Sequence, residues 1–249
     1  MPPGKIEGVP IDVSALLHVR LWARLEAGVF CSATLTTHGD SFGFFLRRSG
    51  LGRLEGSRVM VETLPHIFDY KNRALLMLPA HLPTPAMRPL KKEFPEAVAA
   101  ESQRFLPYFH GRTLGLFTAR SRMRMVHEQI AGPLHEKGYP VLCQGDGALS
   151  KLREEFEQRD EVSLFGVRSL WEGIDVPGKS LSFVFMSKMP FPSLGDPVES
   201  ARVAAVERAG GNGFYDYFLP KTIFTFKQGF GRLLRLKEDR GAVILLDKR

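Results

Sequence analysis

From residue 113 onward the chain alternates short β-rich runs with longer amphipathic ones, and this regular exchange limits the possible folds more than any other feature. The pattern predicts strands at 113–117, 140–143, 162–165, 181–186 and 242–246. It predicts helices at 121–137, stopped by Gly138, and at 149–158, 198–209 and 221–236. Strands that alternate with helices of roughly ten residues or more form βαβ units, whose crossovers place helices on both faces of a mainly parallel sheet. A three-layer α/β domain is the expected fold. Upstream the pattern is less regular. Residues 13–25 place Leu16, Leu17, Leu21 and Leu25 at helical spacing, 29–33 read as a short strand, 42–46 as a helix stopped by Gly50 and Gly52, and 75–78 as a strand. The proline-rich stretch 79–95 predicts a loop and a kinked helix.

The 249 residues, 44% of them hydrophobic, suffice for one large domain or a domain plus a fragment. A net charge of +7 points to an anionic partner, since basic proteins gain affinity for phosphate backbones by releasing counterions. Cys31 and Cys143 stand far apart with no C-x-x-C partner, which excludes a disulfide framework and a zinc or iron–sulfur ligand set and suits a reduced, cytoplasmic chain. His127 and His135 are eight apart on one helix with no third ligand nearby, so no metal site is expected. No apolar run approaches the roughly 18 residues that cross a membrane, and residues 1–10 lack the apolar core of a signal peptide.

Chemistry concentrates near the end, in Q-G-F-G-R-L-L-R at 228–235. On a helix over 221–236, at about 100° per residue, Gln228, Arg232 and Arg235 share a narrow stripe opposite Ile223, Phe226, Phe230 and Leu233, with only Phe224 out of place. Two guanidiniums beside an amide make a rigid claw for a polyanion such as a triphosphate; the other reading is a solvated basic face. A second anion-binding candidate is T-A-R-S-R-M-R at 118–124, after a predicted strand, where Thr118, Arg120 and Ser121 meet a helix N-terminus. A helix capped by Ser121 with solvated arginines is the alternative.

Residues 173–180 match the phosphate-loop pattern G-x-x-x-x-G-K-S in full, from Gly173 to Lys179 and Ser180. A working phosphate loop must open a helix, and here the β-rich run L-S-F-V-F-M comes next, while Pro177 removes a backbone donor. A strand-to-strand loop is the better expectation.

The spacing Q-x-x-G-R-x-x-R resembles the sixth motif of superfamily 2 helicases of the DinG/XPD branch. In the family's order, L-W-E-G-I-D-V-P-G at 170–178 is similar to the fifth motif, L-G-L-F-T-A-R at 114–120 to the fourth and S-A-T-L at 32–35 to the third; residues 188–202 resemble the linker between the last two motifs. The resemblance implies that 39–249 form the second RecA-like motor domain and 1–38 the tail of the first, with Ser32 and Thr34 coupling the two. Arg235 would be the arginine finger, with Arg232 beside it and Gln228 orienting them. Glu172, Gly173 and Asp175 would lie near the nucleotide, Asp175 at the ribose or tethering a finger. Thr118, Arg120, Ser121, Ser169 and Trp171 would touch single-stranded DNA, Trp171 either stacking on a base or buried in the core. ATP with Mg2+ would be held by the first motor domain, so this chain alone would be inactive, and the whole protein would move 5′ to 3′ on single-stranded DNA. Many relatives carry a four-cysteine iron–sulfur cluster that the two cysteines here cannot ligate. Two other readings stay open: a self-contained phosphate-loop NTPase using 173–180, and a non-catalytic basic nucleic-acid-binding module.

Overall fold

A computed structural model describes residues 8–37, 41–85, 92–171 and 181–249. In chain order the elements are α1 (Ser14–Arg20), α2 (Gly43–Ser49), α3 (Tyr70–Arg73), β1 (Ala74–Met77), α4 (Glu93–Tyr108), β2 (Thr113–Leu116), α5 (Arg120–Glu136) and β3 (Val141–Cys143). Next come α6 (Leu149–Gln158), β4 (Ser163–Gly166), α7 (Arg168–Trp171), β5 (Phe183–Met186), α8 (Pro197–Arg208), a π-helical turn (Phe214–Phe218), α9 (Leu219–Phe230) and β6 (Gly241–Leu245). Contacts divide the chain into a sheet unit, residues 66–190 and 226–249, and a helical unit, residues 1–65 and 191–225.

The sheet unit holds six parallel strands in the order β1-β6-β5-β2-β4-β3. Every residue of β2, β4 and β5 is buried, as a central parallel strand covered on both faces requires. Edge strand β1 is more open. One core lies between the sheet and helices α4 and α5, with Phe94, Leu106, Met123 and Ile130 against Phe117, Phe165, Phe185 and Ile244. The second core packs Leu152, Phe156, Trp171, Leu233 and Leu234 against Leu114, Leu164, Val184 and Val243. This is the expected three-layer arrangement. Gly138, at φ +84°, succeeds α5 in the left-handed conformation that lets a chain leave a helix.

In the helical unit, Asp196 caps α8 by accepting the amides of Val198 and Glu199, and Pro197 takes the first helical position. The buried Glu199 carboxylate accepts from Tyr217 (3.0 Å) and Lys221 and pairs with Arg202.

Two expectations are corrected. Residues 29–33 form no strand, and Val29 is 93% exposed: an extended run needs a neighbour to pair with, and none is present among the described residues. Helix α9 ends at Phe230, six residues short of the expected 236. Beyond it the chain turns with Arg232 and Leu233 amides donating to Gly229 and Phe230 carbonyls, and the Asp239 carboxylate accepts from the amides of both Arg235 and Leu236 (2.8 Å each). That side chain offers the backbone a local alternative to the helix, and Gly229 and Gly231 weaken the helix by about 1 kcal/mol each relative to alanine.

Candidate functional site

Ligands of open α/β sheets bind outside the carboxyl ends of the strands. Here the register carries adjacent strands to a common edge: Phe117 donates to the Gly166 carbonyl (2.8 Å), Ser187 to Leu116 (3.0 Å), Gln144 to Phe165 (2.9 Å) and Leu246 to Met186 (2.9 Å). From this edge β2 passes through Thr118 into α5, whose first amides point back toward it. The cap position falls on Ala119 with no side-chain cap, so Ser121 is not the N-cap, and it stays exposed beside the exposed Arg120. Thr118 Oγ1 is buried without a hydrogen bond. Arg122 lies over the Phe94 ring, and Arg124 pairs with Asp146. The arginines of this segment therefore do not form one uniform solvated face.

The ends of β3 and β4 are joined by Gln144, a residue that sequence reasoning passed over. Its Oε1 accepts from the Val167 amide (2.8 Å) and its Nε2 donates to Ser169 Oγ (2.8 Å), leaving that exposed hydroxyl oriented. Of the two readings open for Trp171, the buried one holds: the ring is 2% exposed and its Nε1 donates to the Phe117 carbonyl (3.1 Å), so it offers no face to a base. In the helical unit, the Ser32 hydroxyl lies 3.3 Å from that of Thr34 and accepts the Thr34 amide (3.2 Å), a local turn exposed at Ser32. Glu172, Gly173 and Asp175, and the whole segment 173–180, lie outside the described residues. Residues 181 and 182, immediately after that segment, lead into β5 in the middle of the sheet, where a phosphate loop would need a helix.

The 228–235 segment is held against the second core. Gly229 sits over Trp171, where an added Cβ would come within 2.9 Å of the indole Cε3 and of Met186 Cε. Leu233 and Leu234 are both buried. The half-buried Arg232 donates from Nε (3.2 Å) and Nη2 (3.0 Å) to the Trp171 carbonyl. Arg235 is also half-buried; burial pushes the Tyr70 phenol up in pKa, and the Arg235 charge pulls it the other way, which places the two side chains in electrostatic reach. Because α9 has already ended, Gln228 lies on the helix and the two arginines on the turn, so the single helical stripe is not how they are presented. The turn still fixes both.

A profile of the helicase C-terminal domain matches residues 103–249, more than half of the chain. This chain belongs to the helicase C-terminal domain family. The ATP-dependent helicase DinG of Mycobacterium tuberculosis is 39% identical over 245 residues, which cover 96% of this chain and 35% of that protein. The ATP-dependent DNA helicase YoaA of Escherichia coli is 34% identical over 240 residues, 96% of this chain and 36% of that protein. The Bacillus subtilis 3′-5′ exonuclease DinG is 31% identical, with 26% of its length covered. The chain thus spans about a third or less of these relatives. Among solved structures, Xpd4 of S. tokodaii superposes with a TM-score of 0.54 at 16% identity over 80% of this chain and 39% of its own, and an XPD helicase with 0.53 at 19% over 71% and 32%. Both show the RecA-like helicase fold.

Within this helicase C-terminal domain, His127, Cys143 and Asp146 bring three ligand atoms within 4.8 Å of one another. The trio suits a metal poorly. Arg124 occupies Asp146, His127 Nε2 engages the Val141 carbonyl (2.9 Å), and burial pushes the Cys143 thiol up to about 11, against a smaller pull from Arg124. No helix among the described residues is long and apolar enough to cross a membrane.

Proposed function

We propose that this chain is the C-terminal motor half of an ATP-dependent DNA helicase, acting on ATP and Mg2+ held by an upstream motor domain of the same protein. On this reading residues 1–38 are the tail of that domain, with Ser32 and Thr34 coupling it to the lobe of residues 39–249. Arg235 neutralises charge developing on the γ-phosphoryl oxygens, Arg232 supports it through the Trp171 carbonyl, and Gln228 orients the pair. Glu172, Gly173 and Asp175 border the nucleotide. Thr118, Arg120, Ser121 and Ser169 track the backbone of single-stranded DNA, along which the cytoplasmic protein moves 5′ to 3′.

The observation that carries the reading is the packing of the 228–235 segment against the sheet in a chain of this family. Its glycine is packed on Trp171, one guanidinium is bonded to that residue's carbonyl, and the next arginine's amide is bonded to Asp239. Phosphoryl transfer to water relies on positioned positive charge, and an arginine finger raises the rate by roughly three to five orders of magnitude. A rigid mount lets that charge act without reorganisation. The test is ATP turnover by purified residues 1–249 beside the full-length protein. Turnover is expected from the full-length protein alone, with nucleotide binding by the short chain indifferent to Lys179→Ala. Turnover by residues 1–249 that disappears in Lys179→Ala would instead establish the self-contained NTPase, and a full-length protein without turnover would leave a binding module.

A further inference from the structure

The two arginines of the 228–235 segment are mounted differently. Arg232 is held by its side chain, whose Nε and Nη2 donate to the Trp171 carbonyl. Arg235 is held through its backbone. One oxygen of the Asp239 carboxylate, Oδ2, accepts the Arg235 and Leu236 amides at 2.8 Å each, and the Asp239 amide donates back to the Leu236 carbonyl (3.2 Å). These three bonds close residues 235–239 into a ring. Peptide units are planar and leave each residue two soft dihedrals, so fixing the amides on both sides of a Cα fixes φ and ψ there and with them the direction of the Cα–Cβ bond. The two amides that Asp239 holds are those on either side of the Arg235 Cα. Bonds from backbone amides to a carboxylate are charge-assisted and roughly twice as strong as neutral ones.

The ring is itself tied to the sheet. Arg73, the last residue of α3, donates from Nη1 to the Glu238 carbonyl (2.9 Å), and the strands that follow, β1 and β6, pair from Ala74 and Gly241 onward. Asp239 lies beyond the Q-x-x-G-R-x-x-R pattern. We propose that Asp239 is the positioning residue of the arginine finger: its carboxylate sets the backbone from which Arg235 reaches the transferring phosphoryl group, and Arg73 steadies the ring through Glu238. The proposal rests on the helicase reading, because it takes Arg235 to be the finger. A long side chain launched in a fixed direction reaches fewer unproductive positions, and misplacing a catalytic group by about 1 Å costs roughly 10²-fold in rate.

The test is single-turnover ATP hydrolysis by the full-length protein with an oligothymidylate, in a double-mutant cycle of Asp239→Ala and Arg235→Ala, with nucleotide and strand affinities measured alongside. Asp239→Ala should lower the hydrolysis rate by roughly 10²-fold with both affinities within a few-fold of the parent. Asp239→Asn, whose amide oxygen still accepts both N–H groups, should return most of the rate. In the Arg235→Ala background the Asp239→Ala change should cost less than about threefold, because residues that act as a unit are not additive. A residue that only stabilised the fold would cost as much in that background as in the parent, and this result would overturn the proposal, as would a parent-like rate in Asp239→Ala. Should Asp239→Ala fail to fold, Asp239→Glu keeps the charge and moves the acceptor outward by one methylene. It should lose rate in the parent background and not in Arg235→Ala, and loss in both or in neither would overturn the proposal. These failures leave the helicase reading standing when Arg235→Ala alone abolishes hydrolysis. An Arg235→Ala rate close to the parent's would remove the finger, and the proposal with it.

Discussion

The tryptophan of the fifth motif shows how single residues combine structure with chemistry. Trp171 donates its indole N–H to the Phe117 carbonyl and accepts from Arg232 at its own carbonyl, and so links the end of β2 to the turn that carries the arginines. Trp171→Phe leaves the Phe117 carbonyl without its donor and shrinks the core, and should lower unfolding free energy in urea by about 1–3 kcal/mol while ATP turnover falls with it. A loss of stability with turnover untouched would disconnect the indole from the arginine turn. Cys143 supplies a pH-dependent counterpart. Burial raises its pKa from 9.0 to about 11, so the folded state favours the neutral thiol. That contribution is complete below pH 9, and it is lost as pH rises toward 11. Cys143→Ala should therefore remove part of the alkaline fall in the urea midpoint over that window. The variant falling as steeply as the parent would refute the assignment.

At the level of elements, the central strands were legible because a parallel strand covered on both faces reads as an unbroken apolar run, as in L-F-G at 164–166 and F-V-F-M at 183–186. Helices α5, α6 and α8 were legible from the alternation with strands, and the end of α5 from Gly138. The end of α9 was not, because the carboxylate that competes for its last amides comes from Asp239, beyond the apolar pattern that marks the helix. The proposed site residues divide in the same way. Arg232, Arg235, Thr118 and Arg120 were visible as charged or hydroxylic residues in motifs, whereas Gln144 comes into their neighbourhood only because parallel strands bring their ends to one edge. The one signal that pointed to it was position, one residue past a buried strand. Gly229 tests the packing of the arginine turn on that sheet. Gly229→Ala puts a methyl group into the Trp171 ring and Met186, and should cost about 1–3 kcal/mol and reduce ATP turnover in the full-length protein more than single-strand affinity. Equal stability in the variant would mean that the contact is loose.

For the whole molecule, the family assignment and the RecA-like sheet identify a helicase C-terminal domain, and the chain spans about a third of the length of the DinG and YoaA relatives it matches. On the proposed reading the lobe contributes charge and a track and takes its nucleotide from another domain, so removing the proposed finger should separate catalysis from nucleotide affinity. The most direct measurement is single-turnover ATP hydrolysis by the full-length protein carrying Arg235→Ala, beside equilibrium binding of nucleotide and of single-stranded DNA. The hydrolysis rate should fall by roughly three to five orders of magnitude with both affinities within a few-fold of the parent. A rate within tenfold of the parent, or a parallel collapse of rate and DNA affinity, would contradict the assignment of Arg235 as the group that neutralises the transferring phosphoryl.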